Sequence, residues 1–389
     1  MEGAVAVADE VGRRFKLQAL VRIKAAVLYE IKQPLRVEEV DLDGPGTGEV
    51  LVRVAAAGVC HSDYHFMNGD LPITLPCVLG HEGAGVVEEV GAGVSAVAPG
   101  DHVVMLFRAS CGRCEFCQKG RPALCAMAGK LRNTGRLLDG TSRFHRAGTD
   151  LHHFLGVSCF AERTVLPVEG VVKINPKVSL EVAALMGCSV MTGIGAVMNT
   201  AEVEPGASVL VIGAGGVGLN VVIGAVLVGA NRIIVADLLE SKLELARSFG
   251  ATDVINAREQ DVVAAVRELT GGEGTDYAFE VIGNPKTIAT AYQAVRRGGT
   301  AVAVGIPPFG SEMTINAGEL VYQEKTLKGS YYGTARPQAD MPRLLDLYLA
   351  GRLPLDRLVS RSYPLEQVNQ AYDALLGGEV ARSVLLPGG

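Results

Sequence analysis

The alternation of apolar and polar positions changes character about halfway along the chain. From Lys24 to about Pro167 the apolar runs are short and lie between Gly and Pro turns. Val50-Leu51-Val52-Arg53-Val54-Ala55, Gly83 to Val90 and Asp101 to Leu106 read as strands of a β-rich domain. From about Ser208 the pattern becomes β–α alternation. Strands are expected at Val209–Ile212, Arg232–Asp237, Asp253–Ile255, Tyr277–Glu280 and Thr300–Gly305. Between them come a helical stretch to Ala230 and helices Ser241–Phe249, Asp261–Leu269 and Thr287–Val295. Continuous apolar strands alternating with helices predict an α/β class with a doubly wound parallel sheet. After about Tyr332 the chain reads as a return, with a helix near Met341–Ala350 and a terminal strand near Ser383–Leu386. Residues 1–22 carry acidic residues inside their apolar part, so they do not read as a signal peptide; a disordered extension is expected there, with the first strand opening at Lys24.

The length of 389 residues suits two domains, at roughly 100–200 residues each. The net charge is −6, from 36 basic and 42 acidic residues, and there is no Lys/Arg run, which argues against a nucleic-acid partner. The best membrane candidate, Val209 to Ala230, is interrupted by a glycine motif, so no membrane partner is expected. The chain has no targeting signal, and thiolates are needed for metal; both point to the cytoplasm.

Chemistry concentrates in three places. Cys111, Cys114, Cys117 and Cys125 lie within fifteen residues. Two C-x-x-C steps and a longer gap suit tetrahedral zinc, and four sulfurs leave it no open position, so this zinc is expected to be structural. An iron–sulfur run would continue differently, with a cysteine three residues on followed by Pro. Second, Gly213-Ala214-Gly215-Gly216-Val217-Gly218 gives G-x-G-x-x-G between a strand and a helix. Gly213 allows the tight turn, Gly215 lets a pyrophosphate approach the backbone, and Gly218 lets helix and strand pack closely, as in a Rossmann fold. Gly216 sits at the helix start, where free N–H groups favour anions. Asp237, 24 residues after Gly213, ends the next strand and suits a ribose hydroxyl, selecting NAD over NADP. Third, Cys60, His81 and Cys188 could supply a catalytic zinc with three ligands and one open position. His61 and His65 are rival ligands on spacing alone, while Cys77 and Cys159 read as small buried apolar residues.

The segments GVCHSDYH, LGHEGAGVVEEVG, CGRCEFCQKGRPALC, LLDGTSRF, HHFLGVSCF, GCSVMTGIGA and VIGAGGVGL occur in one order between about Lys24 and Leu386. In these the chain resembles the zinc-dependent alcohol dehydrogenases of the medium-chain dehydrogenase/reductase superfamily. It looks closest to the long-insert branch holding the liver-type and glutathione-dependent formaldehyde dehydrogenases. The resemblance implies a GroES-like catalytic domain over 23–189 and 332–389, with a structural zinc loop at 111–125, and a Rossmann domain over 190–331. It puts the catalytic zinc on Cys60, His81 and Cys188, giving two Zn²⁺ per subunit with the four-cysteine site. Asp63 would hold the histidine ligand and Glu82 would lie beside it, close to the metal. Ser62 would take the alcohol proton and His65 would pass it to solvent, while an alcohol held on zinc gives hydride to NAD. His61 falls where several relatives carry Arg near the pyrophosphate, Arg382 matches a second pyrophosphate contact, and Lys242 joins the cofactor-binding set. Leu71, Phe107, Leu155 and Ile306 fall at pocket positions; all are apolar, favouring an aliphatic or benzylic alcohol or its aldehyde. The glutathione-dependent branch carries an acid where this chain has Leu71 and an Arg where it has Gly129. A thiol-adduct formaldehyde dehydrogenase using a thiol other than glutathione is therefore the alternative enzyme. A zinc-stabilised binding protein without chemistry is the alternative outside enzymes. By analogy with relatives that pair through the nucleotide domain, a homodimer or homotetramer is expected.

Overall fold

The computed structural model describes residues 20–388. Most of the expected extension, residues 1–19, lies outside the described residues. Its last part is corrected: the first strand opens at Val21, with Val21 opposite Leu42 and Arg22 opposite Asp41. Three apolar residues, Val21, Ile23 and Ala25, fall on alternate positions there, a signal too short to recognise beside the charged residues before it.

Three sheets organise the molecule. The strands Val21–Leu28, Arg36–Leu42, Phe144–Arg146, Thr149–His153 and Cys77–Val78 close a small barrel. A second sheet is centred on the long strand Glu49–Val59, which pairs with Gly83–Val90, Arg163–Pro167 and Arg382–Leu386. The third is a six-stranded parallel sheet. Its order runs Asp253–Asn256, Arg232–Asp237, Ser208–Ile212, Thr275–Glu280, Val295–Ala303, Thr326–Gly329. Numbered by sequence within that sheet, this is 3-2-1-4-5-6, the doubly wound order whose switch point opens a crevice beside the first strand. The glycine loop occupies that crevice.

A helical run, Leu180–Ala201, links the two halves, and the expected domain boundary after residue 189 falls inside it. By length and composition it could cross a membrane, but 83% of its apolar window is buried within the fold, so it is a core helix. It opens as α-helix at Leu180–Leu185 and widens into π turns at Met186–Val190 and Ala196–Ala201. One buried cluster runs along it without a break, from Val104 and Leu185 to Val209 and Phe279. The C-terminal return contains a helix, Val368–Leu376, that the sequence reading lacked. Its buried face, Val368, Ala371, Tyr372 and Leu375, packs into the core of the strand-rich half.

Candidate active site and metal centres

The long strand ends at Val59, and Cys60 joins it to a short helix, His61–Met67. His81 arrives from the neighbouring strand pair, just after Gly80. That glycine has φ +92°, and a Cβ there would come within 2.5 Å of the Phe160 backbone nitrogen. Any other residue would therefore push the His81 segment off its seat. Cys188 comes from the wide π turn of the core helix. The three side chains are buried, and their ligand atoms, with a carboxylate oxygen of Glu82, lie within 4.8 Å of one another.

The ligand chemistry fits zinc. Asp63, fully buried, accepts a hydrogen bond from His81 Nδ1 at 2.8 Å. His81 Nε2 is left buried with no hydrogen-bond partner, a lone pair that a metal would satisfy. Burial opposes a charge on His81, but the Asp63 carboxylate, and then the Cys60 thiolate, outweigh it and push its pKa up to about 10. Burial pushes the Asp63 carboxyl up, against the pull of His81. Cys60 and Cys188 share a hydrogen bond that pulls the Cys60 thiol well down and pushes Cys188 well up, so this pair holds one proton where a metal would displace it. Glu82 is engaged elsewhere. Its Oε1 accepts from the Ser189 backbone N–H at 3.2 Å and from Ser189 Oγ at 2.9 Å, and the carboxylate pairs with Arg382. Cys60, His81 and Cys188, the three side chains that would hold a metal, all line the cavity.

The four-cysteine loop has a different geometry. Cys114 precedes the turn Glu115–Gln118, and Cys125 precedes the helix Ala126–Thr134. The Sγ separations are 3.8 Å for Cys114–Cys125 and 3.6 Å for Cys125–Cys111. A tetrahedron with Zn–S bonds of about 2.3 Å has edges of about 3.8 Å. Backbone N–H groups of Cys111 and Cys114 donate to sulfurs of Cys125 and Cys111, both at 3.3 Å. The N–H groups of Cys117 and Ala126 bring Cys114 down to about 6, whereas burial and the other thiols push Cys117 up to about 12.

A cavity of about 1080 Å³ connects Cys60, His81 and Cys188 to the glycine loop. Gly213 has φ +105°, and a Cβ on Gly218 would come within 1.9 Å of the Gly213 carbonyl oxygen. A Cβ on Gly215 would meet nothing within 4 Å, so the space over it is open to a pyrophosphate. Gly216 starts the helix Gly216–Leu227 and lies against Arg382, whose Cδ would be 2.3 Å from an added Cβ. Arg382 reaches that point because its strand pairs with the one leading to Cys60, Ser383 lying opposite Val59. Asp237 accepts from the Ala214 N–H at 2.7 Å and from Leu238 and Leu239 N–H, so it braces the loop as well as facing the cavity. His61, Ser62, His65 and Lys242 also line the cavity, as do Leu71, Phe107, Leu155 and Ile306. Asp63 and Glu82 lie buried behind it. The rival ligand His65 is instead held by Asp70, its Nδ1 donating to Oδ2 at 2.9 Å.

Sequence reasoning missed several lining residues, among them Thr192, Tyr331, Tyr332 and Arg121. Tyr332 packs edge-on against Phe107, ring centroids 4.7 Å apart, at the seam between the two halves. No local motif marks these positions. Arg121 and Arg132 come from the segments around the four-cysteine loop, and neither forms an ion pair among the described residues.

Residues 46–176 match the family model for the alcohol dehydrogenase GroES-like domain, and residues 216–350 that for zinc-binding dehydrogenase. A protein named putative alcohol dehydrogenase D, from Mycobacterium tuberculosis, is 43% identical over 94% of this chain and 100% of its own length. An S-(hydroxymethyl)glutathione dehydrogenase from Synechocystis sp. is 42% identical over 94% of this chain and all of that protein. Among solved structures, benzyl alcohol dehydrogenase from Acinetobacter calcoaceticus is 34% identical, with a TM-score of 0.90, covering 94% of this chain and 99% of that one. The chain belongs to the zinc-type alcohol dehydrogenases of the medium-chain dehydrogenase/reductase superfamily.

Proposed function

We propose that the protein is an NAD-dependent dehydrogenase holding two zinc ions per subunit, which oxidises primary aliphatic or benzylic alcohols reversibly to aldehydes. The observation that carries this reading is the orphaned His81 Nε2 beside Cys60 and Cys188, at the floor of a cavity that runs on to the glycine loop. When bound, zinc would polarise the alcohol oxygen and NAD would accept the hydride. The chain's own residues do the rest. Asp63 holds His81 Nδ1 and so leaves Nε2 as the atom that would hold the metal. Ser62, two residues after Cys60, offers a hydroxyl to the substrate O–H, and His65, one turn on, receives the proton and releases it to solvent. Leu71, Phe107 and Leu155 exclude water and bind the substrate's carbon chain. Gly215, Gly216 and Arg382 receive the pyrophosphate, and Asp237 the adenosine ribose. In this reading residues 23–189 and 332–389 form the catalytic lobe and 190–331 the nucleotide lobe. A second copy would pair through the nucleotide lobe, where Phe309, Val321 and Tyr322 are 89%, 70% and 89% exposed near the edge strand Thr326–Gly329.

One observation favours a second substrate class. Arg121 and Arg132, both exposed, add positive charge to the cavity lining, which suits an anionic thiol adduct of formaldehyde. A single screen decides. NAD reduction is measured with aliphatic and benzylic alcohols, then with formaldehyde plus low-molecular-weight thiols. Turnover of alcohols alone supports the first reading; turnover only with a thiol supports the second. No turnover, together with one zinc per subunit by elemental analysis, would indicate a zinc-stabilised binding protein.

A further inference from the structure

We propose that Asp70 is a positioning residue for proton release: it fixes the His65 ring so that Nε2 is the nitrogen left to accept a proton. This rests on the alcohol oxidation proposed above, with His65 as proton acceptor. Asp70 follows the helix His61–Met67 in the turn Asn68-Gly69-Asp70, where Gly69 has φ +84°. The turn folds back on His65 twice. The Asp70 and Leu71 N–H groups donate to the His65 carbonyl at 2.9 and 3.2 Å. The Asp70 carboxylate then accepts from His65 Nδ1 at 2.9 Å through Oδ2, and from Asn68 Nδ2 at 3.0 Å through Oδ1. Both carboxylate oxygens are thus engaged, and the hydrogen bond from His65 holds the Asp70 carboxyl below the usual carboxylate range. An ionised carboxylate can only accept, so Nδ1 carries the hydrogen and the neutral ring keeps its lone pair on Nε2.

The other charged or titratable groups around this pair do not compete for Nδ1. His61 precedes His65 by one turn of the same helix. Lys32, whose N–H bonds the Met67 carbonyl at 2.7 Å, contributes a positive field at Asp70. Arg132, from the helix Ala126–Thr134, lies over the Phe66 ring at 5.9 Å. Asp70 is therefore the one carboxylate hydrogen-bonded to His65 among the described residues.

The test compares Asp70→Ala, Asp70→Asn, His65→Gln and the double variant Asp70→Ala/His65→Gln, all zinc-loaded. Asp70→Ala is expected to lower kcat for alcohol oxidation about tenfold, with partial rescue by imidazole buffer and KM for NAD unchanged. Asp70→Asn, whose amide oxygen can turn to take the place of Oδ2 and accept from Nδ1, should recover most of that loss. The double variant should be no slower than His65→Gln alone, since both changes remove one device. A readout that needs no turnover is the ring tautomer of His65 by ¹⁵N–¹H correlation at about pH 9: protonated Nδ1 in the parent, a mixture in Asp70→Ala. Additive losses in the double variant, or a tautomer unchanged by Asp70→Ala, would overturn the proposal. If the parent oxidises no alcohol, the functional reading fails separately, and the tautomer result still decides the role of Asp70.

Discussion

Two cysteine-rich centres sit in one half of this molecule, and they are built on opposite plans. The four-cysteine loop takes all its ligands from residues 111–125, and most of them are only half-buried. The Cys60, His81 and Cys188 site draws its ligands from three separate elements and buries all of them. On the proposed reading four sulfurs would close the shell at the first, whereas at the second the nearest carboxylate, Glu82, pairs with Arg382 and Ser189, and three ligands would leave a position open. A closed shell joins segments and nothing more, whereas an open one has chemistry to do. The contrast also explains the surroundings. Backbone N–H groups of Cys111 and Cys114 donate to the loop sulfurs, while the other site has a buried carboxylate, Asp63, that orients one ligand.

The largest expected effect separates the two centres directly. Cys188→Ser should cut turnover by at least about 1000-fold, the equivalent of ~4 kcal/mol at the transition state. Cys114→Ser should instead act through stability, lowering Tm by roughly 10 °C for a loss of about 4 kcal/mol. Thermal melts and steady-state rates on both variants check this. A Cys114→Ser protein that melts like the parent but has lost turnover would reverse the assignment. Next in size is chelation. A bidentate chelator reaches the open position through the cavity but must displace a thiolate at the closed one. Activity and about one zinc per subunit should leave first, before any fall in Tm. Simultaneous release of both ions would remove the distinction. Third, Asp63→Asn should weaken zinc at the open site by roughly 10–100-fold and leave the four-cysteine zinc alone, measured by competition with a zinc indicator.

The same contrast governs what could be read from sequence. The four-cysteine loop and the glycine loop are local: their spacing carries their geometry, and Asp237 follows from the strand that must end beside them. The open site is assembled over distance. Spacing left His61 and His65 competing with His81, and only a family resemblance chose among them. The structural reason appears in three dimensions, where Asp63 reaches His81 and Asp70 claims His65. The core helix bearing Cys188 escaped notice because it is apolar nearly all round, without the 3.6-residue alternation that marks a half-exposed helix. Arg382 was assigned to the pyrophosphate, yet its pairing with Glu82 depends on strand register that no local pattern records. Asp70 reaches His65 through a turn that folds back onto its helix, which no local pattern records.

The smallest effect tests how far the open site's influence reaches. His61 follows Cys60 and lines the cavity on the cofactor side. From sequence, an ordinary histidine there would make NADH binding weaken above about pH 7. The structure moves that expectation. Burial lowers the His61 pKa below its usual 6.5, the nearby Cys60 partly opposing this, and Arg382 and Lys242 push the same way as burial. The sign follows: a depressed histidine is neutral above pH 6.5 and gains charge only at more acidic pH. NADH affinity should therefore be flat from about pH 6.5 to 8 and tighten below that range, where His61⁺ can meet the pyrophosphate. His61→Arg supplies a permanent charge and two donors, so it should tighten NADH by about tenfold at neutral pH and abolish the acid-side dependence. Fluorescence titration of NADH across that range measures both. An affinity that falls steadily between pH 6.5 and 8 in the parent would mean that His61 titrates as an exposed ring, and that the cavity wall beside the open site is wetter than its burial indicates.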